Sequence, residues 1–240
     1  MKITALEPQA RHPDRYNLAL DGRFALGLDA SIVLAEGLTV GRDLTDEEVA
    51  RLRGSEDERR LLEAAMRFLA PRPRSRAEVR RRLMRPRPKQ PAPPAEMVER
   101  VLDRLQHMRL LDDRQFADFW VENRERFSPR SARALGQELR QRGVPREVAE
   151  EAAGGTDDEE RSLVAGRQKL RGAAGLEYDA FQARLGGFLL RRGFSYGVAR
   201  GAVRALWEES RGSAPGSDDE GEGDEGDEGD EGDEGDWTGE

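Results

Sequence analysis

The chain has 240 residues with 40 Lys and Arg, 48 Asp and Glu, a formal charge of −8 and no cysteine. Because 37% of the residues are charged and 36% are hydrophobic, the sequence predicts modest cores in one or two domains or in an array of small units. The lack of cysteine excludes disulfides, thiolate metal sites and a cysteine nucleophile. No run of about 18 apolar residues and no apolar signal segment is present, which favours a cytoplasmic address.

The two signs of charge are unevenly distributed along the chain. Residues 213–240 hold 14 acidic residues and no Lys or Arg, which leaves 34 acidic against 40 basic residues in 1–212, a charge of +6. The Gly-Asp-Glu triplets that repeat from Gly223 predict a disordered segment, because glycine is costly to order and the carboxylates repel one another. This acidic tail is interpreted either as a solubility device or as an internal mimic of a polyanion that competes for the basic body.

Residues 1–54 alternate apolar and polar side chains and predict a small β-rich module of about three strands. Asp21-Gly22 lies between two alternating runs and indicates a hairpin, since a type I′ turn requires positive φ. A short helix is expected around Ile32–Leu34. Thr45 is expected to cap a further helix that continues through Leu52.

From residue 55 to residue 212 the hydrophobic period becomes helical and predicts about nine helices. The segment Leu139–Val144 matches Leu189–Phe194 at a spacing of 50 residues, each with a glycine at the expected helix C-terminus. Ser75–Arg85 fits as a third copy. The fold class predicted is therefore mainly α, an elongated and curved tandem array of three three-helix repeats. The predicted bounds of the repeats are 55–111, 112–155 and 156–212.

Residues that could support catalysis are sparse. The two histidines, His12 and His107, lie in different modules, and no zinc-protease, serine-hydrolase or P-loop motif is present. Asp112-Asp113 precedes a helix, so one of the two is interpreted as its N-cap rather than as part of a catalytic pair. The sequence thus predicts no enzyme, no cofactor and no metal.

A basic surface is the remaining candidate site. Nine basic residues surround a single acid, Glu78, and lie at Arg72, Arg74, Arg76, Arg80, Arg81, Arg82, Arg85, Arg87 and Lys89. Arg142 and Arg192 occupy equivalent positions in two repeats and suggest one basic edge along the array. This density favours an anion at the site, either a nucleic-acid backbone or an acidic protein groove, although a merely solvated helix face stays open. Binding through backbone phosphates would be salt-dependent.

The segment from Leu110 to Arg124, followed by Gln137–Val144, resembles the central motif of the RecX regulatory proteins. The order of the motifs around it is also similar, with Arg74–Leu83 upstream and Phe188–Phe194 downstream. The amino-terminal segment with the Asp21-Gly22 turn is similar to an extension that some members carry. Two features depart from the family pattern: the proline-rich run 86–94, and the acidic tail.

This resemblance implies three tandem three-helix repeats that bind the RecA recombinase in the groove of the RecA–DNA filament. It further implies inhibition of RecA ATPase, strand exchange and coprotease functions, in recombination and the SOS response, by a monomer with DNA as a further partner. Two other readings stay open: an independent helical nucleic-acid-binding protein, which would read bases with an exposed helix, and an interaction scaffold. The acidic tail is expected to lie over Arg72–Lys89 in the free protein.

Overall fold

The computed structural model describes residues 1–86, 91–155, 157–173 and 175–212. Arg87, Lys89 and the predicted acidic tail lie outside the described residues. A three-stranded antiparallel sheet opens the fold, in the order β1 (Ile3–Gln9), β2 (His12–Leu20) and β3 (Arg23–Asp29). Asp21 and Gly22 have φ of 46° and 77°, the left-handed values that a type I′ turn requires. The predicted hairpin is confirmed.

Helix α1 (Ala30–Ala35) is followed by α2, a 24-residue helix over Asp46–Leu69. Thr45 begins α2 with a capping box shared with Glu48. The expectation that this helix ends near Leu52 is wrong, because no proline interrupts the helical pattern before residue 69. The first half of α2 packs on the sheet and its second half packs on the first repeat, so α2 passes through the predicted boundary at residue 54.

Glu56 fixes α2 to the sheet. Its side chain accepts hydrogen bonds from Arg15 at 2.6 Å, from Arg60 at 2.8 Å and from the backbone N–H of Asp29 at 3.0 Å. Burial would raise the pKa of Glu56, but these bonds to its charged form outweigh burial and hold the pKa below its ordinary value. The buried carboxylate therefore depends on its cationic partners.

The remaining helices form the three repeats. The first repeat combines the end of α2 with α3 (Arg76–Met84) and α4 (Ala95–His107). The second holds α5 (Asp113–Phe127), α6 (Ala132–Gln141) and α7 (Arg146–Ala153). The third holds α8 (Asp158–Arg167), a 3₁₀ turn (Leu170–Ala173), α9 (Tyr178–Arg191) and α10 (Tyr196–Gly212). Each repeat has its own apolar core, and the predicted helical array is confirmed as the fold class.

The first two repeats are joined at the N-terminus of α3. Ser75 Oγ donates to the carbonyl of Arg142 at 2.6 Å, and the backbone N–H of Arg76 donates to Asp113 Oδ1 at 2.7 Å. Gly143 has φ of 85°, as expected for the glycine that follows a helix C-cap. A Cβ at Gly143 would lie 2.2 Å from the Cβ of Ala77, so this glycine also allows the two repeats to touch.

The second and third repeats are joined in the same way, at the N-terminus of α6. The backbone N–H of Ser131 donates to the carbonyl of Arg192 at 3.2 Å, and that of Ala132 donates to Asp158 Oδ1 at 2.7 Å. Gly193 has φ of 89°, and a Cβ there would lie 2.8 Å from Ala134 Cβ. Consecutive repeats thus share one type of junction, which fixes the orientation of each repeat on its neighbour.

Candidate functional site

Part of the predicted basic surface is neutralised by α4. Arg76 binds Glu99 at 2.7 Å and Asp103 at 2.9 Å, and Arg80 binds Glu99 at 2.6 Å. The hydrogen bonds from Arg80 and Arg76 hold the pKa of Glu99 below its ordinary value. Because α4 supplies these carboxylates, Arg76 and Arg80 do not require an external anion, and their role in binding stays a prediction.

Two further arginines of the predicted surface point inward. Arg74 is only 9% exposed, donates from Nε to the carbonyl of Phe68 at 2.8 Å and stacks 3.7 Å above the Phe68 ring. Burial lowers the pKa of Arg74, and the neighbouring cations Arg72 and Arg82 act in the same direction. Arg72 lies 3.6 Å from Glu78. These contacts hold the connection between α2 and α3 together.

Three arginines remain on the solvent side of α3, and we call them the α3 arginine surface: Arg81, Arg82 and Arg85. All three are exposed. Arg82 lies 5.7 Å from the Phe68 ring, whereas Arg81 and Arg85 make no ion pair within the described part of the chain. Arg87 and Lys89 follow in the sequence but lie outside the described residues. The α3 arginine surface is therefore the part of the predicted site that an external anion could reach.

Arg142 and Arg192 do occupy equivalent positions, as C-caps of α6 and α9. The Arg142 guanidinium binds Glu78 at 2.9 Å and lies 3.7 Å from the Trp120 ring. The Arg192 guanidinium donates to Ser128 Oγ at 2.5 Å and lies 4.5 Å from a phenylalanine ring. Both side chains therefore lie in contacts between repeats, and their role in one basic edge along the array stays a prediction.

Trp120 organises the junction in a way that its apolar spacing did not reveal. Its Nε1 donates to Glu138 at 2.9 Å, and its ring lies between the guanidinium groups of Arg124 and Arg142 at 4.7 and 3.7 Å. Glu138 also binds Arg124 at 3.0 Å. The four-residue step from Trp120 to Arg124 was the available sequence signal. The cluster is a half-buried cation–π site.

A second feature that sequence reasoning missed is an open cleft between α9 and α10, with a volume of about 410 Å³. Tyr196 and Leu190 line it and are 66% and 45% exposed. An adjoining cleft of about 690 Å³ runs along α10 and includes Tyr178. Arg200 belongs to both. We call the two together the third-repeat cleft.

Both aspartates at the N-terminus of α5, Asp112 and Asp113, have a structural role. Asp112 Oδ1 accepts from the backbone N–H of Arg114 at 2.8 Å, which confirms that one of the two is the N-cap. Asp113 accepts from the backbone N–H of Arg76 in the first repeat, and burial raises the pKa of Asp113. His107 Nδ1 lies 2.7 Å from the carbonyl of Asp103, far along the chain from His12. Among the described residues no cluster of His, Asp and Glu could hold a metal ion.

No helix within the described ranges is long and apolar enough to cross a membrane. The chain matches three family models: "Regulatory protein RecX N-terminal domain" over residues 1–45, "RecX, second three-helix domain" over 112–152, and "RecX, third three-helix domain" over 157–203.

Relatives and solved structures agree with these matches. A regulatory protein RecX of Streptomyces coelicolor is 38% identical over 133 residues, 53% of this chain and 70% of the relative. One of Bacillus subtilis is 27% identical over 211 residues, 87% of this chain and 78% of the relative. A crystal structure of a regulatory protein RecX superposes with a TM-score of 0.65 at 24% identity, covering 83% of this chain and 97% of that chain. The last comparison supports the fold.

Proposed function

Because the chain belongs to the RecX family of regulatory proteins, we propose that it regulates the RecA recombinase. It binds the RecA–DNA filament and inhibits RecA ATPase, strand exchange and coprotease activity. The observation that carries the proposal is the row of RecX modules joined by one repeated type of junction. A row of pre-oriented repeats suits a partner that is itself a repeating polymer, since little conformational entropy is lost on binding.

We propose that the chain acts by binding rather than by catalysis. The carboxylates and arginines of the described residues that sequence reasoning singled out are largely engaged in caps and ion pairs, as at Asp112, Asp113 and Arg76. The clefts of the third repeat are open rather than enclosed. We further propose a monomer that works in the cytoplasm, in recombination and the SOS response.

The electrostatic part of the interaction is assigned to the first repeat. Residues 55–111 hold 15 basic and eight acidic residues, a formal charge of +7. After the pairs with α4 are formed, the α3 arginine surface groups three exposed arginines of this repeat on one short segment, whereas Arg104 and Arg109 are exposed near the end of α4. Guanidinium groups bind phosphate oxygens well, so this surface is proposed to contact the DNA backbone of the filament.

The test replaces Arg81 and Arg85 with glutamine and measures binding to RecA assembled on single-stranded DNA across a salt series. Because each backbone contact contributes about 0.7 to the logarithmic salt slope, loss of both should lower that slope by roughly 1.4. The matched control replaces Arg23 and Arg53, which are also exposed and make no ion pair within the described residues. Equal effects of the two double variants would contradict the assignment of this surface.

The same experiment separates the alternative of a stand-alone nucleic-acid-binding protein. A filament-directed regulator binds RecA–DNA filaments more tightly than the bare DNA. Equal affinity for bare DNA and for the filament, at the same salt concentration, would favour the alternative and remove RecA from the account.

A further inference from the structure

The third-repeat cleft differs from the corresponding surfaces of the other two repeats. In the first repeat, Arg80 on α3 binds Glu99 on α4 at 2.6 Å. In the second, Glu150 on α7 binds Arg146 at 2.7 Å and lies 4.0 Å from Arg140 on α6. In both repeats, an acid on the third helix thus pairs with arginines beside it.

The third repeat has lost these pairs. Counted from the matching glycines Gly143 and Gly193, the replacements are Leu190 for Arg140, Tyr196 for Arg146, and Arg200 for Glu150. Arg200 thus places a cation where the second repeat has an acid, and Leu190 and Tyr196 place uncharged side chains where it has arginines. Arg200 is exposed and makes no ion pair with any described residue. The groove therefore offers an apolar surface beside an uncompensated positive charge.

The floor of the third-repeat cleft is open to a ligand that approaches α10 closely. A Cβ added at Gly197 or Gly201 would meet no atom within 4 Å. Arg204 extends the cationic side along α10 and binds Glu208 at 3.1 Å. Asp179 also lines the cleft, so an acidic ligand is favoured beside Arg200 rather than beside Asp179.

We propose that the acidic tail, residues 213–240, binds this cleft. The indole of Trp237 would pack between Tyr196 and Leu190, and aspartates and glutamates of the tail would pair with Arg200. The tail follows directly on α10, which forms one wall of the cleft. It provides 14 carboxylates and one aromatic residue, the two chemistries that the cleft can receive.

The tail is long enough to reach the cleft. Trp237 lies 25 residues beyond Gly212; a neutral flexible chain of this length would have a root-mean-square extent of about 28 Å, and repulsion between the carboxylates extends the tail further. Tyr196 lies 16 residues before Gly212 on the same helix, a distance of about 24 Å at 1.5 Å per residue. The cleft therefore lies within reach of Trp237.

The expectation that the tail covers Arg72–Lys89 is the competing location. Four of those arginines already have internal partners, and charges exposed to solvent are screened beyond about 8 Å at physiological salt. Salt does not screen an apolar contact, such as the one proposed for Trp237 in the cleft. The inference does not depend on RecA, so it can fail or succeed separately from the proposed function.

The test exploits the lack of cysteine in the chain. Thr238→Cys in the full-length protein gives a single attachment site for a nitroxide, and paramagnetic broadening of the backbone amides locates the label. The prediction is that the strongest broadening falls on glycine amides of the cleft at Gly186, Gly187, Gly197 and Gly201. Strongest broadening at Arg81–Arg85, or broadening that favours no region, would overturn the proposal.

Two variants of the labelled protein define the contacts. Arg200→Glu removes the cation and should weaken docking about two- to fivefold, as expected for one exposed ion pair. Trp237→Ala should reduce the broadening at the cleft further. The matched control is Arg23→Glu, an equal change of charge at an exposed arginine in the amino-terminal sheet. Equal broadening in the Arg200→Glu, Trp237→Ala and control proteins would also overturn the proposal.

Discussion

The junction between the first two repeats makes Gly143→Ala a quantitative test of how the array is held. Gly143 has φ of 85°, a left-handed conformation that costs an alanine roughly 1–2 kcal/mol. The added Cβ would also lie 2.2 Å from Ala77 Cβ, and forcing an extra methyl group into packed structure costs about 1–3 kcal/mol. The free energy of unfolding should therefore fall by about 2–5 kcal/mol.

Urea unfolding followed by far-UV circular dichroism measures this loss as a shift of the midpoint. Gly37→Ala is the matched control, because Gly37 has φ of 58° and a Cβ there would meet no atom within 4 Å. Gly37→Ala should therefore show the cost of the left-handed backbone without a steric clash. Ala77→Gly, combined with Gly143→Ala, should restore most of the difference, since it removes the methyl group that clashes.

The reasoning is refuted if Gly143→Ala costs no more than Gly37→Ala. It is also refuted if Ala77→Gly fails to restore stability, because the steric contact between the repeats would then not be the cause. A rescued double variant, in contrast, assigns the loss to this junction.

Three further predictions concern charged side chains with internal partners. The pKa of Glu56 lies below its ordinary value of 4.5, so the stability that the carboxylate contributes should be full above pH 4.5 and lost as the pH falls through the lowered pKa. Glu56→Gln should lower the free energy of unfolding by about 2–3 kcal/mol. In urea titrations from pH 7 to pH 3, this variant should show a smaller loss of stability with acid than the unchanged protein. Arg161 is 2% exposed and binds Glu125 at 2.8 Å, so Arg161→Ala should cost about 3–5 kcal/mol, and a change in thermal midpoint no larger than that of a surface arginine variant would contradict this. Arg142→Lys should lose the stacking on Trp120 and change the indole fluorescence, because an ammonium group lacks the planar guanidinium face; an unchanged emission spectrum would argue against that contact in solution.

Much of the fold could be predicted because its signals are local. The hairpin required only Asp21-Gly22, and the helix ends required Gly143 and Gly193, whose left-handed backbones are visible in the sequence as glycines. The length of α2 was missed because the change in composition near residue 54 was taken as a boundary. A proline would end the helix, but none lies between Asp46 and Leu69, and Gly54 is accommodated inside α2.

The site was harder to predict because its contacts join distant residues. Glu99 lies 19 residues from Arg80, so counting arginines along α3 overstated the free charge. Gly143 also allows the first two repeats to touch, and this role depends on Ala77, which lies 66 positions away in the sequence. The third-repeat cleft, in contrast, could have been found by comparing the repeats, since Arg200 replaces an acid at a matched position.

The central claim is that the chain is a RecA-filament regulator, and single-stranded-DNA-dependent RecA ATPase, titrated with the full-length protein, tests it most directly. The account predicts inhibition at well below one chain per RecA, with the Arg81 and Arg85 double variant requiring more protein than its Arg23 and Arg53 control. Unchanged ATPase activity at stoichiometric protein, with DNA binding intact in a parallel gel shift, would contradict the claim and leave a nucleic-acid-binding protein.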